Sequence, residues 1–355
     1  MKSADHFAGC LVGGGLGDAL AFPIEFMHME QIEEAFGPDG VRGFFDWNYY
    51  EGSARGCFTD DTQMTLFTAD GLIRSWLHAE EVGDARAYER LTFEAYQRWF
   101  TTQRMQWAER DPHPRHGWLF HLEGLHRRMA PGNTCMTALE SGYRGGVGSD
   151  ERHNDSKGCG TVMRLAPAGL LHGGHLMDAW GLGCDLGAVT HGHQTGIESG
   201  GAFAVIIDGM VEGLTLSAAM DRAMDRVSDE ATCRAIAGAA HAAEYLEADV
   251  DSVQSLGAGW VAEEALGIAL FCALKHPDDF RAAVLLAANH SGDSDSTAAI
   301  CGNLVGLMVG LEGIPADWRR ELVLGDVLEQ VGRDLHALRT GGPRPADLAE
   351  RYPPD

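Results

Sequence analysis

The sequence predicts an all-α protein, a single compact domain of many short helices, and three observations point that way. Alternating apolar–polar runs are scarce and Val/Ile/Thr clusters are short, so strands have little to form from. Apolar residues recur instead at helical spacing. Leu66, Ala69, Ile73, Trp76 and Leu77 fall at 0, +3, +7, +10 and +11, and Ile300, Leu304, Leu307, Met308 and Leu311 at 0, +4, +7, +8 and +11. The run AFAVIIDGMVEGL (202–214) is apolar nearly all round, the mark of a helix buried on every side.

In chain order, helical patterning first covers roughly 5–21, with GGGLGD toward its end. The helix marked by Leu66 to Leu77 follows the acidic stretch TDDT. Patterns at 85–101 and 134–143 flank a plausible long loop, 103–117, QRMQWAERDPHPRHG. A second loop, RGGVGSDERHNDSKGCG (144–160), leads into a helix at 161–172 that HGGH closes. Helices at 179–190, 195–213, 217–226, 230–246, 260–275 and 278–288 follow, and HSGDSD precedes the one marked by Ile300 to Leu311. The 46 glycines cluster at these apparent helix ends, where they permit tight turns and close backbone approach. No linker divides the chain, so one domain is expected over 1–340, with TGGPRPADLAERYPPD (341–355 and the preceding Thr340) as a polar, partly ordered tail.

Composition narrows the function. The chain has 355 residues, 45% hydrophobic, enough for a real core. Its 52 acidic residues against 27 basic give a net charge of −25. Such a surface repels nucleic acid and anionic membrane at long range, so neither is an expected partner. An anionic ligand would need local positive elements: metal ions, helix N-termini or oriented backbone N–H groups. No unbroken run of 18 apolar residues occurs, so no transmembrane helix is expected, and no apolar signal segment precedes FAGC. The eight cysteines are scattered without a CxxC, which suits reduced thiols in a cytoplasmic protein rather than a disulfide or zinc framework.

Two stretches crowd carboxylates and hydroxyls just ahead of a helix: CFTDDTQMTL (57–66) and HSGDSDST (290–297). Either alone reads as a helix cap, since Asp, Ser and Thr accept N–H bonds there and the dipole favours negative charge. Two such clusters, about 230 residues apart, also suit a pair of hard cations such as Mg2+, Mn2+ or Ca2+, which take oxygen ligands. Neither cluster is an EF-hand, which needs its own twelve-residue loop ending in Glu.

Five stretches together resemble the ADP-ribosylglycohydrolases, also called ADP-ribosyl-acceptor hydrolases. They are GGGLGDALAFPIEF (13–26), FTDDTQMTLFTADGLI (58–73), SKGCGTVMRLAPAGL (156–170), AVTHGHQTGIESGGAFAVII (188–207) and NHSGDSDSTAAICGNLVG (289–306), in the family's order and across most of the chain. The resemblance implies an all-α domain with a binuclear Mg2+ or Mn2+ site in a central cleft. It implies metal ligation by Thr59, Asp60 and Asp61 from the first motif and by Asp293, Asp295 and Ser296 from the second. The second motif more commonly reads GDTDT; both threonines are serine here, Ser294 and Ser296. Glu25 matches an acidic residue that some relatives use near the scissile bond, so the implied catalytic set is Glu25, Asp60, Asp61 and Asp295. Gly158, Cys159, Gly160 and Thr161 match a diphosphate-binding turn, with Cys159 where Asn is usual, and His191 matches a histidine lining the nucleotide pocket.

The implied reaction is hydrolysis of an ADP-ribosyl bond through an oxocarbenium-like state at C1″, with two metals gripping the ribose and acidifying a water. FTDDTQMTLFTADG and GCGTVMR look closest to the bacterial, arginine-directed branch. The implied partners are therefore an ADP-ribosylated protein and ADP-ribose, with a cognate ADP-ribosyltransferase or toxin as counterpart. Serine, O-acetyl-ADP-ribose and nucleic acid are the other acceptors, an inactive ADP-ribose-binding or structural protein is a different class, and a hydrolase of other nucleotide-like substrates is a third. Trp76, Trp99, Trp180 and Trp260 read as core or interface. The loops around Trp107 and Trp118, 103–117 and 144–157, are where acceptor selectivity is expected, because loops carry function on a rigid scaffold.

Overall fold

The computed structural model describes residues 1–49, 52–142 and 154–354. The chain runs through α1 (Ala4–Ala21), α2 (Met29–Phe36), α3 (Asp60–Val82), α4 (Tyr88–Thr102), α5 (Gly117–Phe120) and α6 (Asn133–Glu140). It continues through α7 (Ala166–Leu170), α8 (Ala179–Ala188), α9 (Gln194–Glu212), α10 (Leu216–Met224), α11 (Glu230–Tyr245) and α12 (Val250–Gln254). The remainder is α13 (Ala262–Lys275), α14 (Phe280–Ala288), α15 (Ser294–Gly313), α16 (Ala316–Glu321), α17 (Gly325–Thr340) and α18 (Leu348–Arg351). The strands among the described residues are one two-residue hairpin, Asn48–Tyr49 against Gly52–Ser53. The all-α expectation holds.

The centre is the pair α1 and α15, flanked by α3, α14 and α17, with α9 and α13 behind. GGGLGD does not end a helix; it lies inside α1. A Cβ on Gly13 would sit 2.2 Å from the carbonyl oxygen of Gly302, and one on Gly17 would sit 2.0 Å from that of Ala298. The glycines therefore let two backbones touch. Both helices are long and apolar enough to cross a membrane by length and composition, which a search for unbroken apolar runs misses because small residues and a few acids interrupt them. Their apolar windows are 94% and 78% buried, each largely against the other. Running apolar on every side, α1 packs on all of them.

Three other departures from the sequence reading have local causes. The helix expected at 161–172 is a 3-10 turn, Cys159–Thr161, and then α7, because Pro167 near the start of α7 cannot continue a helix begun six residues earlier. α17 was not read from the sequence: its stripe of Val327, Leu328, Val331, Leu335 and Leu338 is narrow, and its N-cap, Leu324, is in the left-handed region (φ +57°) with no side-chain cap. The closing segment, read as a polar tail, carries buried Leu348 and Tyr352. The Tyr352 hydroxyl donates to Asp334 (3.0 Å), and Arg74 Nη1 donates to the Pro353 carbonyl (2.5 Å).

Candidate active site

The crossing of α1 and α15 brings the two acidic stretches to one place. Asp18, near the end of α1, is fully buried and accepts hydrogen bonds from three donors at the start of α3. They are the Thr59 N–H (2.9 and 3.0 Å to its two oxygens), the Thr62 N–H (3.1 Å) and the Thr62 hydroxyl (2.6 Å). Thr59 caps α3, its hydroxyl accepting the Asp61 N–H at 3.3 Å. With the helix end satisfied by Asp18 and Thr59, the carboxylates of Asp60 and Asp61 are free to face a cavity. On the other side, Asp293 caps α15 by accepting the Ser296 N–H (3.3 Å). The two stretches touch directly: Ser296 Oγ donates to Asp61 Oδ2 at 2.8 Å.

Glu25 follows a single 3-10 turn, Phe22–Ile24, after α1. One of its carboxylate oxygens comes within 4.8 Å of a ligand oxygen of both Asp293 and Asp295, and its Oε2 is buried without a hydrogen-bond partner among the described residues. Glu25, Asp60, Asp61, Asp293, Asp295 and Ser296 all line one cavity of about 380 Å3, a size that suits a small-molecule ligand. No lysine or arginine lines it among the described residues. The field follows from that imbalance. Burial, then repulsion from Asp293 and Asp60, pushes Glu25 up to about 9. Burial takes Asp60 to about 7, and Asp61 and Asp295 are pushed well above the usual carboxylate range. A buried anionic cluster with hydroxyl neighbours and an orphaned carboxylate oxygen is a donor set that fits divalent cations.

The floor is the Gly158–Gly160 turn. It is pinned by an isolated bridge between Gly158 and Val261 and by the Cys159 N–H donating to the Trp260 carbonyl (3.3 Å). A Cβ on Gly160 would lie 2.8 Å from His191 Cε1, so only glycine lets the turn close on that ring. Cys159 fills the departure from the usual pattern by donating its thiol to Asp293 Oδ2 at 2.8 Å. His191 is buried and held neutral, pushed down to about 3 by burial and then by Arg164. Arg164 is itself buried, donates to the Thr190 hydroxyl (2.7 Å), and Thr190 in turn meets His191 Nδ1 (2.8 Å). That leaves Nε2 of His191 on the cavity side, beside Gly158.

Two expected residues stand outside the cavity lining. Thr59 is fully buried, its hydroxyl spent on capping. Thr161 is fully buried and faces Gly187 and Gly200, behind the turn, because the 3-10 geometry rotates it away from Cys159. Sequence reasoning missed Asp18, Phe26 and Trp260. Phe26 and Trp260 line the cavity mouth, and Trp260 is 39% exposed rather than core. The loop 103–117 does not line the cavity, and residues 144–153 of the second loop, 144–157, lie outside the described residues.

Comparison with known proteins agrees with this fold. The chain is 25% identical over 338 residues to "ADP-ribosylarginine hydrolase Tri1" of Pseudomonas putida, covering 94% of this chain and 78% of that protein. It is 22% identical to the "ADP-ribosyl-[dinitrogen reductase] glycohydrolase" of Rhodospirillum rubrum, covering 94% and 95%. A solved structure titled "ADP-ribosylglycohydrolase-related protein complex" superposes with a TM-score of 0.68 at 22% identity, covering 95% of this chain and 98% of that one. The family model described as ADP-ribosylglycohydrolase matches residues 1–344, and the chain belongs to that family.

Proposed function

We propose that the chain is a divalent-metal-dependent hydrolase that releases ADP-ribose from ADP-ribosylated arginine in proteins. The observation that carries this reading is the convergence of Glu25, Asp60, Asp61, Asp293, Asp295 and Ser296 on one cavity that, among the described residues, has no lysine or arginine to balance them. Two Mg2+ or Mn2+ ions would be held by Asp60, Asp61, Asp293, Asp295 and Ser296, all of which line the cavity, whereas Thr59 would join them only by giving up its capping bond. When bound, the pair would supply the missing positive charge and Lewis acidity toward the sugar and a water. The chain's own groups do the rest. The Gly158–Gly160 turn and the His191 Nε2 face the diphosphate. A second cavity of about 330 Å3 shares Asn133 and Thr134 with the first and offers room for the adenosine end.

In the reaction, water adds at C1″ and the C1″–N bond breaks. The bonding pair goes to the guanidino nitrogen, which takes a proton. Glu25, whose Oε2 has no hydrogen-bond partner among the described residues, is the residue placed to move that proton. The arginine preference is supported by the relatives named ADP-ribosylarginine hydrolases, from Pseudomonas putida and Serratia proteamaculans, both 25% identical to this chain. A hydrolase of this bond needs an enzyme that forms it, so an arginine-directed ADP-ribosyltransferase, cellular or a toxin, is its counterpart. Eight free thiols suit a cytoplasmic setting.

The test is release of ADP-ribose from arginine-ADP-ribosylated protein with Mg2+, Mn2+ or EDTA, beside Asp61→Ala and Asp295→Ala. Metal-dependent release lost in both variants is expected. Failure on arginine with cleavage of serine-linked or O-acetyl-ADP-ribose would reassign the acceptor. Failure on all three with metal bound would leave a binding protein.

A further inference from the structure

Three non-glycine residues have positive φ among the described residues, Phe26 (+68°), Ala130 (+49°) and Leu324 (+57°), and the first two line the active-site cavity. Left-handed backbone is rare for a bulky residue and persists where the surroundings impose it, commonly at functional sites. At Phe26 the effect is to turn a large ring outward: the side chain follows Glu25 directly and is 70% exposed. One face of the ring is stacked on Trp260, with centroids 4.9 Å apart and planes at 23°. Trp260 is fixed through its carbonyl to the Cys159 N–H. The core therefore does not explain Phe26; it is a ring displayed at the rim.

Position and charge choose its occupant. The second cavity, proposed above for the adenosine end, shares Asn133 and Thr134 with the first but is not lined by Glu25 or Phe26, so Phe26 goes with Glu25, the residue proposed to move the proton at the bond to be cut. No lysine or arginine lies in the described lining to compete for that ring face. A planar cation suits it, because an aromatic face carries the negative end of the ring quadrupole.

We propose that Phe26 and Trp260 form the acceptor subsite, a platform on which the guanidinium of the ADP-ribosylated arginine stacks. This rests on the arginine reading above and names the residues that would set the preference for it. The pair discriminates by charge and planarity, features that serine-linked and O-acetyl acceptors lack.

The experiment compares full-length wild-type protein with Phe26→Ala, Phe26→Leu and Phe26→Tyr in saturating Mg2+. KM is measured for an ADP-ribosyl-arginine peptide and for O-acetyl-ADP-ribose, and the Kd of ADP-ribose is measured by calorimetry. Phe26 is exposed, so these variants are expected to fold, and circular dichroism checks it. The expected result is a rise of about three- to tenfold in KM for the arginine peptide in the Ala and Leu variants, retention in Tyr, and an ADP-ribose Kd within about twofold of wild type. Agmatine inhibition should weaken in parallel. Unchanged KM and agmatine inhibition in Phe26→Ala, with wild type active on arginine, would overturn the platform and leave the arginine reading intact. A matching loss of ADP-ribose affinity would assign the pair to the nucleotide and also overturn it. Wild type inactive on arginine but active on O-acetyl-ADP-ribose would remove both.

Discussion

Gly17→Ala separates two opposing effects that the structure lets one weigh. By helix propensity alone, alanine in the interior of α1 is better than glycine by up to about 1 kcal/mol. The new Cβ, however, would lie 2.0 Å from the Ala298 carbonyl oxygen, 2.4 Å from its carbon and 2.8 Å from the Ala299 nitrogen. All three are backbone atoms of α15, so no rotamer change relieves the contact, and the helices must part by about 1 Å. Overpacking of this kind costs about 1–3 kcal/mol, toward the upper end where backbone must move. The net expectation is a loss of about 2 kcal/mol. With an unfolding entropy of about 2.1 cal/mol/K per residue, that is a fall of about 3 °C in Tm for a chain of this length. Gly238→Ala in α11 is the control, since nothing lies within 4 Å of its Cβ, and it should gain up to about 1 °C. Parting α1 from α15 also shifts Asp293 and Asp295 relative to Asp61, and a displacement of about 1 Å can cost about a hundredfold in rate. Calorimetric Tm values and ADP-ribose release for both variants check this. A Gly17→Ala protein as stable and active as Gly238→Ala would sink the claim that α1 and α15 are in backbone contact.

Three further outcomes are expected. Mg2+ or Mn2+ at about a hundred times its Kd should stabilise the protein by about 2.7 kcal/mol, roughly 4 °C, and the shift should vanish with EDTA or in Asp61→Asn and Asp295→Asn; a shift retained in both variants would place the metal elsewhere. Asp18→Asn should lower Tm by about 3–5 °C, because an amide presents N–H groups to the donors of Thr59 and Thr62, and should cut activity while Asp60 and Asp61 remain. Glu198 is the pH-sensitive case: burial raises its pKa, but donors from Ser228 and Asp229 outweigh burial and leave it lowered. Its stabilisation is thus complete above the ordinary glutamate value and is lost as pH falls through the lowered one, so Glu198→Gln should flatten the Tm-against-pH curve below about pH 4.5. An equally steep acid limb in the variant would show that other groups set it.

The paired aspartates were legible because each cluster is local: Asp60 with Asp61, and Asp293 with Asp295, announce themselves within a few residues. Asp18 was not, since its partners, Thr59 and Thr62, lie 41 and 44 positions away and only the fold brings them near. The glycines of GGGLGD were seen but misread, because a glycine that ends a helix and one that admits a neighbouring backbone look the same in composition. Trp260 reads by its type as core or interface, and its half-exposed place at the cavity, stacked on Phe26 from 234 positions earlier, is a long-range contact that sequence spacing does not reveal. Local chemistry thus transfers from sequence to site, whereas long-range contacts that position it do not.

The pairing of α1 with α15 also has a temporal side. α1 is complete at Ala21, but its covering helix begins at Ser294. At about 5–20 residues per second, translation leaves a gap of roughly 15–50 s. Throughout it, a helix apolar enough to span a bilayer has lost none of its greasiness and gained no lasting cover. The nascent chain therefore offers ribosome-associated chaperones an early, persistent handle. Productive folding then waits on the arrival of about the last sixth of the polypeptide.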